Sequence, residues 1–216
     1  MAKIVFTTGA GISVPSGIRP YRGVGGIYTE NPELEQLLTS HNYNVMQARV
    51  LAAIEEMKDL LRDCFPNAAH FAIAELEAYH DVLVITQNVD NLHIEAGSSP
   101  DRVVELHGNI HRQRPDDDGE LRPDVVLFGE NLPDGLFVRA ANAIEDADVV
   151  VAIGTSGDVS PANMLLDIAN DRAYRRECKF YYINLDKPEV YVPFAKMIHE
   201  SAETAVPTLC EQLKEL

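Results

Sequence analysis

Short apolar runs, each ending at a polar or glycine-rich corner, recur along the chain and are separated by stretches with helical spacing. Lys3-Ile4-Val5-Phe6-Thr7 is the first run, Asp81-Val82-Leu83-Val84-Ile85-Thr86 the second, and Arg102-Val103-Val104-Glu105-Leu106 a shorter third. Val149-Val150-Val151-Ala152-Ile153 and Lys179-Phe180-Tyr181-Tyr182-Ile183 complete the set. Unbroken apolarity over so few residues marks strands buried on both faces. Their alternation with helical patterns predicts an α/β fold: a parallel sheet with helices on both faces. Ala68 to Glu77 predicts one helix, because Asn67 can cap it and Ala69, Ala72, Ile73 and Leu76 recur at helical spacing. Pro161, suited to a first helical position, opens another through Met164, Leu165 and Ile168. Residues from about 29 to 63 interrupt the alternation with helix-like segments that carry Met46, Val50, Ile54, Met57 and Leu61 on one face. They predict a small helical insertion over the sheet edge.

Composition narrows this picture. A chain of 216 residues, 46% hydrophobic, buries one good-sized core and hardly two, so a single domain over residues 1–216 is expected. A net charge of -16 argues against nucleic acid and anionic membranes as partners and favours cationic ones such as lysine-bearing peptides. The three cysteines, Cys64, Cys178 and Cys210, are too few and too scattered for a disulfide framework or a zinc ligand set. A reducing cytoplasm is the expected location. The first apolar run is too short for a signal-peptide core, and none approaches the roughly 20 residues of a membrane span.

Candidate chemistry gathers at the predicted carboxyl ends of the strands, where ligands collect in such sheets. A strand running into Gly9-Ala10-Gly11 and then a helix lets backbone N–H groups approach a pyrophosphate. Val14 stands where a third glycine belongs, however, and no acid follows a second strand at the usual distance, so a tight turn without ligand is the competing reading. Ser16 to Gly23 combines glycines, a proline, Tyr21, Arg19 and Arg22, a composition for either a phosphate-covering loop or a solvated one. Gln87, Asn88 and Asp90 end the second strand, where amides and a carboxylate bind ribose hydroxyls or a carboxamide, or merely cap the next helix. His107 ends the third strand, where an imidazole, near-neutral in its ordinary pKa, serves either as a general base or, as a lone histidine more often does, in a structural role.

Taken in order, Gly9-Ala10-Gly11-Ile12-Ser13, Ser16-Gly17-Ile18 through Arg22-Gly23, Pro66-Asn67-Ala68-Ala69-His70, Thr86-Gln87-Asn88-Val89-Asp90-Asn91-Leu92-His93, Glu105-Leu106-His107-Gly108, Leu121-Arg122-Pro123 through Phe128-Gly129-Glu130, and Gly154-Thr155-Ser156 resemble the sirtuins, the NAD-dependent protein deacylases. The resemblance runs from about Lys3 to the end. It implies a Rossmann-like sheet, NAD as co-substrate, and an acylated lysine of a protein or peptide as substrate, deacetylation being the expected reaction. It implies that His107 is the catalytic base toward the nicotinamide ribose, with Asn88 beside it. Gln87, Asn88 and Asp90 match positions around nicotinamide and its ribose. Gly9, Ala10, Arg22, Gly154, Thr155 and Ser156 match phosphate and ribose contacts, while Asn184 and Ala202 match positions near the adenosine. Val126, Phe128 and Gly129 resemble the segment that pairs with the substrate backbone, and Ile18, Tyr21 and Val89 are expected to line an apolar, lidded pocket.

The chain also departs from that pattern. Most sirtuins carry two cysteine pairs of a structural zinc module where this chain has only a shortened loop, Asn109 to Glu120, without cysteine, so no metal site is expected. His111 lies four residues after His107, but His107 is needed as base. Asp116-Asp117-Asp118-Gly119 reads as a solvated turn. Tyr21 replaces the usual phenylalanine, and Gly157 replaces the usual leucine, which would loosen the adjoining pocket. Relatives that prefer acidic acyl chains carry a tyrosine and an arginine three apart. Tyr43 and Arg49 are six apart, which leaves desuccinylation as an alternative, alongside NAD hydrolysis or ADP-ribose transfer if the short module fails to seat a peptide.

Overall fold

The computed structural model describes residues 1–116, 118–187 and 191–216. Its strands are β1 (Lys3–Thr8), β2 (Asp81–Thr86), β3 (Val103–Glu105), β4 (Gly108–Pro115), β5 (Leu121–Val125), β6 (Val149–Ile153), β7 (Lys179–Ile183) and β8 (Lys196–Ile198). Six of them form one sheet in the order β3-β2-β1-β6-β7-β8, every pair parallel. The chain therefore builds outward from β1 to one edge, returns, and builds outward again from β6. Such a reversal opens a crevice at the carboxyl ends of β1 and β6.

The helices are α1 (Ile27–Glu30), α2 (Pro32–Leu37), α3 (Ser40–Leu61), α4 (Ala68–Leu76), α5 (Leu92–Glu95), α6 (Leu136–Glu145), α7 (Asn163–Tyr174) and α8 (Ala202–Leu213). Alternate strand residues serve opposite faces, as the pleat requires. Ile4, Phe6, Val149 and Val151 pack with Ile73 and Leu76 of α4 and with Val206 and Leu209 of α8. Val5, Val150 and Ala152 pack with Ala140 and Ile144 of α6 and with Leu165 and Ala169 of α7. Both faces are thus covered by helices, as the uninterrupted apolar runs require.

Several local expectations are met in detail and others are corrected. The Asn67 side chain accepts the Ala69 N–H and caps α4. Pro161 does not open a helix: it lies in a turn, and α7 begins at Asn163. The α-helix expected after the glycine turn is also absent. Two short 3-10 turns, Ala10–Ile12 and Val14–Ser16, stand there instead. Pro15 carries no N–H to extend a helical ladder, and Gly17 leaves it at φ 90°.

Residues 29–63 are largely helical, and α3 packs mainly on the β4–β5 hairpin, where an insertion over the sheet edge was expected. Val50 and Ile54 of α3 pack with Ile110 of β4, Leu127 and Val89, with Met57 and Leu61 alongside, in a separate apolar cluster. Met46, expected on the same face, sits at a kink with φ -141° and ψ 48°. The stretch expected as a loop over 109–120 is mostly strand. β4 and β5 pair antiparallel across a bulge between Asn109 and Gln113. In the turn, Asp116 accepts the N–H groups of Asp118 and Glu120; Asp117, part of the expected turn, lies outside the described residues.

Candidate active site

The glycines after β1 and β6 meet at the crevice. Gly9 N–H donates to the Ile153 carbonyl at 3.0 Å and Gly11 N–H to the Gly154 carbonyl at 2.8 Å. A Cβ on Gly11 would stand 2.5 Å from Gly154 Cα, and Gly154 itself has φ 59°. The glycines therefore let two turns touch backbone to backbone, a requirement independent of any ligand. Beside them lies a cavity of about 860 Å³. Gly9, Ala10, Arg22, Gln87, Asn88, His107, Gly154, Thr155, Ser156, Asn184 and Ala202 all line it, and so do Val126, Phe128 and Gly129.

His107 lines the same cavity as both groups of residues. Its Nδ1 lies 3.0 Å from the Gln87 carbonyl oxygen. A carbonyl only accepts, so Nδ1 carries the proton and Nε2 keeps its lone pair. Burial lowers the His107 pKa from its ordinary value, partly countered by the bond to Gln87. The ring is a neutral base at neutral pH.

Behind His107, β2 ends in a buried polar knot. Asn88 Nδ2 donates to the Gly9 carbonyl at 3.1 Å and lies 3.2 Å from Ser13 Oγ, which in turn donates to Asp90 Oδ2 at 2.7 Å. The other Asp90 oxygen accepts the Leu92 N–H at 3.0 Å. Burial raises the Asp90 pKa, with the Ser13 and Leu92 hydrogen bonds opposing. Asp90, expected among the cofactor contacts, does not line the main cavity; its carboxylate is spent on Ser13 and the next turn. Asn88 Oδ1 is buried without a hydrogen-bond partner among the described residues. An unmet acceptor at the cavity wall fits the carboxamide of a nicotinamide. Ser13 went unassigned in the sequence because its role depends on reaching two residues 75 and 77 positions away.

Past the turn after β6, the Thr155 carbonyl accepts from Tyr182 Oη at 2.5 Å and Asn184 Nδ2 at 3.1 Å. Ala202 is the first residue of α8, so the positive end of that helix dipole borders the cavity. It takes the place expected of a helix after the glycine turn. Arg22 lines the cavity and is ion-paired with Glu35. Arg19 is bonded to the Gly25 carbonyl and Glu30, which folds the 19–25 loop on itself.

Another part of the lining comes from the apolar cluster around α3: Tyr28, Leu38, Ile54, Met57, Val89, Ile110 and Leu127. Tyr21 also lines it and stacks on Tyr28 at 5.3 Å, with burial pushing the Tyr28 phenol up to about 12. Ile18, expected here, does not line the cavity. Neither do Tyr43 and Arg49: Tyr43 is buried beneath Arg122, 4.2 Å from its guanidinium, and Arg49 is exposed. No acidic acyl chain would meet that pair inside the cavity. Gly157 itself does not line the cavity, although Ser156 and Asp158 on either side of it do. It is buried off the cavity at φ 81°, a conformation a leucine adopts poorly. Among the described residues, no three His, Cys, Asp or Glu side chains are grouped to hold a metal ion, and no helix is long and apolar enough to cross a membrane.

A six-stranded parallel sheet in this order, with a buried imidazole at its switch-point crevice, is a Rossmann-like architecture with its cavity where such sheets take dinucleotides. The sequence pattern of the Sir2 family matches residues 9–117 and 112–161, and the chain belongs to that family. It is 32% identical to an NAD-dependent protein deacylase of Helicobacter pylori, over all of this chain and 97% of that protein. An NAD-dependent protein deacetylase of Listeria monocytogenes is 36% identical, over 90% of each chain. Among solved structures, a Sir2 homologue in complex with NAD superposes with a TM-score of 0.82 at 30% identity, covering 99% of this chain and 90% of that one. A Sir2 structure holding a p53 peptide and NAD superposes with a TM-score of 0.80 at 28% identity, covering 99% and 94%.

Proposed function

We propose that this protein is an NAD-dependent protein lysine deacylase, acting first on acetyl-lysine, that transfers the acyl group to ADP-ribose and releases nicotinamide. The observation that carries the reading is His107: its Nδ1 is held by the Gln87 carbonyl, and it lines a cavity shared by the glycine turn and the 126–129 segment. NAD bound there would supply the glycosidic bond whose cleavage frees nicotinamide and opens its ribose to the acyl oxygen. Asn88 Oδ1 would accept from the carboxamide, Gln87 and Thr155 would meet ribose and phosphate oxygens, and Ala202 at the head of α8 would border the adenosine. His107 Nε2 would take the proton of a ribose hydroxyl, a positioned transfer that contributes on the order of 10²- to 10⁴-fold in rate. Tyr21, Val89, Ile110 and Leu127 would keep water from the reacting carbon.

The substrate enters as an extended peptide in this reading. Val126 N–H is bonded to the His107 carbonyl and Phe128 N–H to the Leu38 carbonyl. The Val126 carbonyl and Gly129 N–H have no hydrogen-bond partner among the described residues, leaving one acceptor and one donor for an added strand. The acidity of the chain favours lysine-bearing partners over nucleic acid or anionic lipid. The 109–120 segment lacks cysteine, and activity without zinc is part of the proposal. The free thiols Cys64, Cys178 and Cys210 fit a cytoplasmic location.

Mass spectrometry of acetyl-lysine and succinyl-lysine peptides, incubated with and without NAD, tests the assignment. The expected result is NAD-dependent loss of acetyl with O-acetyl-ADP-ribose formed. Intact peptides with free ADP-ribose accumulating would replace it with an NAD-hydrolysing activity.

A further inference from the structure

The Glu130 carboxylate is the junction of four elements. Its Oε2 accepts the Leu127 N–H at 3.0 Å and Arg114 Nη2 of β4 at 2.7 Å, while Oε1 accepts Arg122 Nη1 of β5 at 2.6 Å. Arg122 is 5% exposed; its Nη2 donates to the Val125 carbonyl at 3.1 Å, and its guanidinium lies on Tyr43 of α3. Tyr43 Oη reaches Asp116 in the hairpin turn at 3.2 Å. The cluster thus ties the helical insertion, both hairpin strands and the segment 126–130 through one acid.

Stability is a poor reason for such a cluster, because desolvating two guanidiniums and a carboxylate offsets most of their attraction. Orientation is a better one. Glu130 N–H donates to the Leu127 carbonyl while its own side chain accepts the Leu127 N–H, so the turn Leu127–Glu130 is closed from both sides. Gly129 at φ 85° allows that closure, and a Cβ there would stand 2.9 Å from Ser40 Oγ. The open Gly129 N–H lies within this turn and the open Val126 carbonyl adjoins it, so closing the turn fixes both.

We propose that Glu130 is a positioning residue for the acylated peptide: through Leu127 and the two arginines it fixes where the open backbone groups of 126–129 stand relative to His107. The inference rests on the deacylase reading above. It makes an ionic cluster, inside the protein's own hairpin, the device that sets the peptide's register.

Initial-rate kinetics with an acetyl-lysine peptide, for wild type and Glu130→Gln, decides it. Glutamine keeps an acceptor for Leu127 and loses the charge that holds both arginines. The expected result is a fall of about ten- to a hundredfold in kcat/KM for the peptide, carried mainly by KM, with the KM for NAD within about twofold of wild type. An unchanged peptide KM in the folded variant overturns the assignment and leaves the deacylase reading standing. Wild type that leaves the peptide acylated removes both. If Glu130→Gln melts below the assay temperature, Arg122→Lys takes its place: it keeps a cation and loses the two-pronged grip on Glu130 and Val125, and the same split between the two KM values is expected.

Discussion

Gly11 and Gly154 hold the β1 and β6 turns in backbone contact, 2.8 Å from the amide of one to the carbonyl of the other, with no room for a methyl on either. Gly11→Ala drives a Cβ into the Gly154 Cα. The expected cost is about 1–3 kcal/mol of stability, read from the denaturant midpoint, together with weaker NAD binding. Full stability in that variant would mean the turns separate easily, contrary to the contact described.

Loss of the imidazole at His107 removes the only base proposed for the acyl transfer. His107→Ala is expected to lose about 10²- to 10⁴-fold in kcat while retaining its fold and NAD affinity, as measured by calorimetric titration. Near-normal turnover would take His107 out of the mechanism.

The pH dependence of that step has a definite sign. Burial lowers the His107 pKa, so the base form persists below the ordinary imidazole value near 6.5. In wild type the acid limb of kcat/KM is expected below that value, with no fall between pH 8 and 7 on its account. A limb centred above 6.5 would contradict the buried, neutral ring.

Two other histidines govern stability in acid. His70 and His93 are buried with ring centroids 4.9 Å apart; His93 Nε2 lies 3.0 Å from Thr8 Oγ1. Burial lowers both, His70 to about 4. Folded, they resist protons that the unfolded chain binds, so their stabilisation is full above about pH 6.5 and is lost as pH falls toward 4. His70 alone withdraws about 1.4 kcal/mol per unit across that window. Asp90, raised by burial, acts in the opposite sense, so the comparison is between wild type and His70→Gln, in which Asp90 is common. The variant is expected to lose stability less steeply on acidification; parallel curves would refute the assignment.

Metal removal probes the hairpin. Dialysis against a strong chelator is expected to leave both Tm and deacylation unchanged, because the 109–120 segment has no cysteine thiolate to hold a structural zinc ion. A drop restored by zinc would reveal a metal site made from other ligands.

Ser13→Ala strips a hydrogen bond from the buried Asp90 carboxylate and a neighbour from Asn88. A loss of about 1–3 kcal/mol is expected, because only the Leu92 N–H then remains on the acid, and it is larger at pH 7 than at pH 4, where the raised Asp90 is closer to neutral. Equal losses at the two pH values would show that the Asp90 carboxyl keeps one protonation state between them.

The runs beginning at Lys3, Asp81, Val149 and Lys179 were legible as strands because a strand buried on both faces has no polar positions to hide. Asn67 was legible as a cap because capping is local. β8, with only Lys196–Ile198, is too short to announce itself, and β4 reads as a loop because Asn109, His111, Arg112, Gln113 and Arg114 are polar. Their pairing is decided by partners, Ile183 for one and Leu121 to Val125 for the other.

The sequence by itself determined the parallel sheet, the helices on both faces and the sites at its strand ends, because burial period and turn chemistry are properties of neighbours along the chain. The motif order likewise pointed to the family before any geometry was known. Only the tertiary structure decided that Gly11 serves Gly154, that Asp90 faces Ser13 instead of the cavity, and that Tyr43 lies under Arg122 and not beside a substrate. Each of those depends on which distant residue fills the space opposite, and close packing of residues far apart in sequence leaves no local signature.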